Sequence, residues 1–304
     1  MCVPDRLANE LIKAGIERED DLPALHYRMA FCIIRFYLGE PWVTQKVRLQ
    51  HEHDPFMLNE FDEESDNRFT HMNRVVDLGN SLFELRNCIN FNVLCERFRS
   101  RDTKPCFTEA QIAGSFANHG FKVEIVKETG VRGADFDFIA HGASLDMSIE
   151  VTAKELAPLT VATIKNTLTE KRSQVPADRA AILYIVIPEE WASDAQVAET
   201  TFSEALGNFY ERSRRFNAVV LVWEATLVLG EGRISALTYR PYENPSPRHP
   251  IDDTRFLRPD HPRGDLNMLR HRIETDSAGL KRELEDGFSE PHCSFYDWYL
   301  RARQ

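Results

Sequence analysis

The chain has 304 residues, 42% of them hydrophobic, and a net charge of -11. That length can bury a sizeable core and hold two domains, while the acidity argues against a simple polyanion binder, which draws on Lys and Arg in bulk. No stretch approaches the roughly 20 apolar residues of a membrane span, the start MCVPDRLANE lacks the parts of a signal peptide, and the six cysteines show no CxxC pairing. A cytoplasmic protein without a membrane segment and with mostly buried free thiols is therefore expected.

Residues 1 to 104 read as a mainly helical region. Ala24 to Leu38 is dense in apolar and aromatic residues, and Phe69 to Phe98 carries Met72, Val75, Val76, Leu82, Phe83, Leu85, Ile89 and Leu94. Between them an acidic segment with Glu52, Asp54, Glu60, Asp62, Glu63, Glu64 and Asp66 is expected as a loop. His51 and His53 lie in it without the further ligands that a metal needs.

Residues 105 to 240 read as an α/β domain. Thr108-Glu109-Ala110-Gln111 matches a capping box and opens a helix that buries Ala110, Ile112, Ala113, Phe116 and Ala117, with Gly120 placed to stop it. Phe121 to Val126 alternates as a strand, and residues 132 to 154 alternate as a hairpin, apolar on one face and carboxylate-bearing on the other. Val161, Ile164 and Leu168 mark a helix from Ala157 to Ser173, and the apolar run Ala180 to Ile187 marks a buried central strand. Pro188 and Trp191 then lead into a helix expected to bury Val197, Phe202, Ala205, Leu206 and Phe209. Ala218 to Trp223 is a second buried strand, and Leu227 to Ile234 a hairpin turned by glycine. Prolines recurring from 241 to 262 predict an extended linker over residues 241 to 263, and residues 264 to 304 a tail of short helices anchored by Phe295, Trp298, Tyr299 and Leu300.

The hairpin is the local pattern with chemical content. With His141 to Ser144 as its loop, Ala140 faces Leu145 and Asp135 falls opposite Glu150. Directly opposed residues hold their Cβ atoms about 4.5 to 5.5 Å apart, close enough for two carboxylates to grip one cation. Lys154 points to the same side, roughly 7 Å along the strand from Thr152. An acid pair with a nearby ammonium suits metal-assisted phosphodiester cleavage. The same alternation also arises in half-buried antiparallel strands that do no chemistry. Lys122, Lys127 and Arg132 precede this hairpin, Lys165, Lys171, Arg172 and Arg179 follow it, and Arg212, Arg214 and Arg215 stand at a later helix end. They can form a basic rim, or be solvated positions that favour the helix dipole.

The order helix, three strands, helix, strand, with Asp135 on the second strand and Glu150 on the third, resembles the PD-(D/E)xK nuclease superfamily over about residues 105 to 190. The resemblance implies a restriction-endonuclease-like core, a mixed central sheet flanked by helices, with a Mg2+ or Mn2+ site on the exposed hairpin face and DNA or RNA as substrate. Asp135 matches the motif aspartate and Glu150 its acidic residue, both as metal ligands. Glu109 matches the glutamate of the first core helix, an outer-shell or second-metal ligand. Ala134 stands where the motif has proline, and Thr152 occupies the lysine position, so Lys154 is assigned the lysine role. The alternative is a catalytically inactive scaffold of the same fold that binds a protein or nucleic acid, with the N-terminal helices as a protein contact surface. Phosphate-loop, dinucleotide, HExxH and GxSxG signatures are absent.

Overall fold

The computed structural model describes residues 22–48, 55–57, 67–131, 133–143, 145–154, 158–188, 190–191, 195–229, 232–252 and 254–257. The acidic residues from Glu52 to Asp66, the pair His51 and His53, Arg132 and the anchor residues Phe295 to Leu300 lie outside them. The chain divides into two units, one of residues 1–120 with 261–304 and one of residues 121–260. Among the described residues no helix is long and apolar enough to cross a membrane.

The described part of the first unit is helical: α1 (Leu22–Leu38), α2 (Glu40–Val43), α3 (Asn67–Glu84), α4 (Phe91–Ser100) and α5 (Thr103–Asn118). Ile33, Ile34, Leu78, Leu82, Phe83, Phe98 and Phe116 are buried in it. Gly79 permits the close approach of α3 to α1, because a Cβ there would stand 2.5 Å from the Ala30 Cβ. The helix expected to open at Thr108 starts one and a half turns earlier, after Asp102. Pro105 is tolerated because the first turn has no intrahelical use for its missing N–H. Thr108 is thus interior, and its hydroxyl donates to the Lys104 carbonyl at 3.2 Å, so Thr108 and Gln111 form no capping box. The other end is as expected: Gly120, at φ 83°, closes the helix with its N–H on the Ala117 carbonyl.

Among the described residues, the second unit is an open, mixed sheet of six strands in the order β1 to β6, with two crossover helices between its strands. The strands are β1 (Lys122–Ile125), β2 (Phe138–His141), β3 (Asp146–Ala153), β4 (Ala180–Val186), β5 (Ala218–Leu229) and β6 (Gly232–Glu243), with α6 (Val161–Arg172) before β4 and α7 (Ala195–Tyr210) before β5. Neighbours are antiparallel at both ends of the sheet and parallel for β3–β4 and β4–β5. A parallel pair needs a crossover, and α6 and α7 supply the two. The α/β class expected from the sequence is therefore present.

Both crossover helices cover the same face. Ala181, Leu183, Ile185, Val219 and Leu221 of the sheet pack with Ile164 and Leu168 of α6 and with Ala198, Phe202, Ala205 and Leu206 of α7. Thr160 caps α6 by accepting the Thr163 N–H. Val197, expected inside, is 53% exposed, and Ala198 takes the inward position one step round the helix. Every residue of β4 is buried, as its unbroken apolar run requires.

The proline-rich stretch does not begin as a linker. Pro241 lies in β6, opposite Val220, on an edge strand where a missing N–H is harmless. Beyond it the chain stays attached: Asn244 is buried, donates from its side chain to the Phe216 and Ser213 carbonyls and from its backbone to the Asn217 carbonyl. Phe256 and Leu257 are buried too, with the Phe256 ring against Phe121. Prolines forbid regular helix, but they leave docking by side-chain amides and aromatic rings open. Replacing Asn244 by Ala leaves buried carbonyls unpaired, and is expected to cost about 1 to 3 kcal/mol, read as a lower urea midpoint.

Candidate functional site

The hairpin that carries the chemistry is formed, in a register two residues away from the expected one. Ala140 pairs with Met147 and His141 with Asp146, and the turn closes through the Gly142 N–H on the Leu145 carbonyl at 3.0 Å. His141 belongs to the ladder rather than to the loop because carboxylates clamp it from both sides. Its Nδ1 lies 3.0 Å from Asp146 and its Nε2 3.1 Å from Glu124. A two-residue shift keeps each side chain on its face but changes every partner. Asp137, not Asp135, consequently comes beside Glu150.

Backbone and side chain together fix Asp137 there. Its N–H donates to the Ile149 carbonyl at 3.1 Å, its carbonyl accepts the Val126 N–H, and its Oδ2 accepts the Val151 N–H at 2.6 Å. Ile149 and Val151 are the two neighbours of Glu150 in β3. Asp135 lies outside β2 and has a different task. Its Oδ1 accepts the Thr129 N–H at 2.7 Å and the Thr129 hydroxyl at 2.9 Å, tying down the loop between β1 and β2. The Thr129 backbone bond is the main cause that holds its carboxyl below the ordinary value.

Glu150 is 4% exposed. It pairs with Leu183 in the parallel ladder, so it shares the face that α6 and α7 cover, rather than the exposed hairpin face expected from the resemblance. The parallel crossover is the physical reason, since the helix joining β3 to β4 must lie over one face of both. That helix brings its own counter-charge: Lys171, in the last turn of α6, places Nζ 2.7 Å from Glu150 Oε1. Lys154, given the lysine role from the sequence, extends the ladder through its N–H on the Val186 carbonyl. Lys171 was visible in the sequence only as one cation among several. No local spacing links residues 150 and 171, because the crossover alone brings them together.

Glu109 belongs to the first unit, on the buried face of α5, where it forms an ion pair with Arg97 of α4. Both residues are buried, which gives each charge the partner that burial demands.

The donor types in the sheet unit suit a hard cation. Magnesium and manganese take one or two carboxylates and complete their sphere with water and phosphate oxygens, and Asp137 and Glu150 are the two that the register offers. Among the described residues no group of three or more His, Cys, Asp and Glu stands close enough to hold a metal. The fold and these residues define an α/β protein with an open mixed sheet and a buried acid-ammonium pair beneath its first crossover helix. Compared with family models, with curated proteins and with solved structures, the chain matches none.

Truncating Lys171 to Met takes the ammonium away from a buried carboxylate and is expected to destabilise the unit by about 3 to 5 kcal/mol. Adding Glu150→Gln to that variant recovers most of the loss in the same urea titration. Thr129→Val removes a donor to Asp135, and its carboxyl pKa, followed by carbon NMR, rises toward the ordinary value. With its folded pKa depressed, ionised Asp135 contributes to stability fully above its unfolded pKa, and the contribution fades as pH falls through the folded one.

Proposed function

We propose that the sheet unit is a divalent-metal-dependent phosphodiesterase of the PD-(D/E)xK kind, acting on DNA or RNA in the cytoplasm. The observation that carries this reading is the contact of Lys171 with Glu150 beside Asp137. An aspartate just before β2, a glutamate of β3 and a lysine of α6 come together, with the ammonium delivered from the helix instead of the Thr152 position. The element order from α5 to β4 supports the same superfamily core.

In this reading Asp137 and Glu150 hold Mg2+ or Mn2+, which supplies polarisation of a phosphate oxygen and a more acidic water when bound. The Val151 N–H fixes the Asp137 carboxylate, so it needs no reorientation when substrate arrives. Lys171 releases part of its hold on Glu150 and donates to the phosphate oxygen on which charge accumulates. Asp135 acts one step away, by holding the loop that leads into β2. Glu109 stays with Arg97 as a structural pair of the helical unit.

The burial of Glu150 favours a second reading, in which the fold is retained and the ion pair only holds α6 to the sheet. A silent scaffold of this sort binds nucleic acid or protein without cleaving. The two separate in one assay: single- and double-stranded DNA and RNA, with magnesium, manganese or EDTA. Metal-dependent cleavage is expected for the wild type and for Asp135→Asn, with Glu150→Gln and Lys171→Arg slower by about 100-fold or more. Circular dichroism checks that each variant is folded. Equal background from all of these proteins would leave the scaffold as the reading that stands.

A further inference from the structure

A second group of cations stands in the sheet unit, apart from the Glu150 pair. Arg172 ends α6, Arg215 lies in the loop before β5, and Arg248 follows β6. Hydrogen bonds lace these three segments at one corner of the fold. The Arg248 N–H donates to the Arg214 carbonyl at 2.9 Å, the Asn217 side chain donates to the His249 carbonyl, and His249 Nε2 meets the Ala177 carbonyl at 3.0 Å. Ala177 belongs to the loop that leaves Arg172.

Arg215 is partly buried, yet its Nη1 is shut off from solvent and has no hydrogen-bond partner. Desolvation lowers its pKa, and the positive charges of Arg248 and Arg172 lower it further, whereas Asp178 alone acts in the opposite sense. Asp178 is largely exposed and stands 3.6 Å from Arg179 Nε, so it does not cover the orphan nitrogen. Arg172 at a helix C-terminus has an ordinary dipole explanation. Neither Arg215 nor Arg248 stands on a helix, so the dipole does not account for them. An unpaired cationic N–H beside two like charges is unfavourable in isolation. A tetrahedral anion with several acceptor oxygens offsets the crowding of like charges, and guanidinium forks match its geometry.

We propose that Arg172, Arg215 and Arg248 form a phosphate-binding site that takes a backbone phosphate of nucleic acid. The polymer assignment rests on the nuclease-like reading. Lys171 and Arg172 are consecutive, so the last turn of α6 serves both sites: one residue holds Glu150, the next a phosphate of the same strand. The net charge of -11 makes this local concentration of guanidinium groups the means by which an acidic chain meets a polyanion.

Binding of a fluorescein-labelled oligonucleotide, as DNA and as RNA, by the full chain in EDTA tests the site without cleavage. Arg248→Gln, at an exposed position, and Arg215→Lys, which keeps charge but loses the fork, should each weaken binding about tenfold. Arg248→Gln should also lower the slope of log affinity against log salt by about one. Inorganic phosphate should compete in the wild type. Unchanged affinity and slope in Arg248→Gln would overturn the proposal, and so would a response to inorganic phosphate with no oligonucleotide binding. Arg248-dependent binding without metal-dependent cleavage in the preceding assay would retire the nuclease reading while keeping this site.

Discussion

A carboxylate in the interior strand β3 imposes the main constraint on the sheet unit. Glu150 follows Ile149, which is fully buried, and has Leu183 beside it in β4. An unpaired charge there would cost several kcal/mol in effective terms. Lys171 removes that cost only if the last turn of α6 lies over β3, which in turn sets how the crossover returns the chain to β4. Packing of Ile164 and Leu168 on the sheet and the ion pair at the helix end thus agree on one placement. The pair acts less as a source of stability than as a restriction on where α6 can sit, because exchanging such pairs for apolar residues is often neutral.

Around this point the hydrogen bonds of the unit are organised by side chains as much as by backbone. Asp137 replaces a carbonyl in receiving the Val151 N–H, Asp135 gathers the Thr129 donors, and Asn217 both accepts the Ala181 N–H and donates to the His249 carbonyl. Each stands where a strand begins or where a ladder would otherwise leave a donor or acceptor unmet. Buried polar groups seldom go unpaired; in this unit the Ser148 hydroxyl, the Gln174 amide oxygen and Nη1 of Arg215 are exceptions among the described residues, and Arg215 is the charged one. The helical unit follows the same rule with charges, through Arg97 and Glu109.

Strand identity and helix identity were legible in the residues because they depend on local periodicity. The apolar run from Ala180, the stripe of Val161, Ile164 and Leu168, and the helix stop at Gly120 all correspond to elements that are present. Where local signals competed, the outcome differed. Thr108 to Gln111 has the form of a capping box, but burial of Thr103, Cys106 and Phe107 extends the helix past it. Val197 is as apolar as its neighbours, yet the phase of α7 sends Ala198 inward. Prolines after 241 signal the absence of helix, and say nothing of the amide contacts that dock Asn244.

What the sequence determined by itself was the α/β class, the order of elements and which residues of the hairpin share a face, since these follow from periods of two and 3.6. Only the tertiary structure decided which carboxylates are neighbours and which lysine meets Glu150. The hairpin register turns on whether His141 joins the ladder, and that depends on Glu124, a residue of another strand. Lys171 reaches Glu150 through a crossover, and Arg172, Arg215 and Arg248 come together from three separate segments. Spacing along the chain carries no record of such meetings, because they are made by the packing of elements whose contacts are distant in sequence.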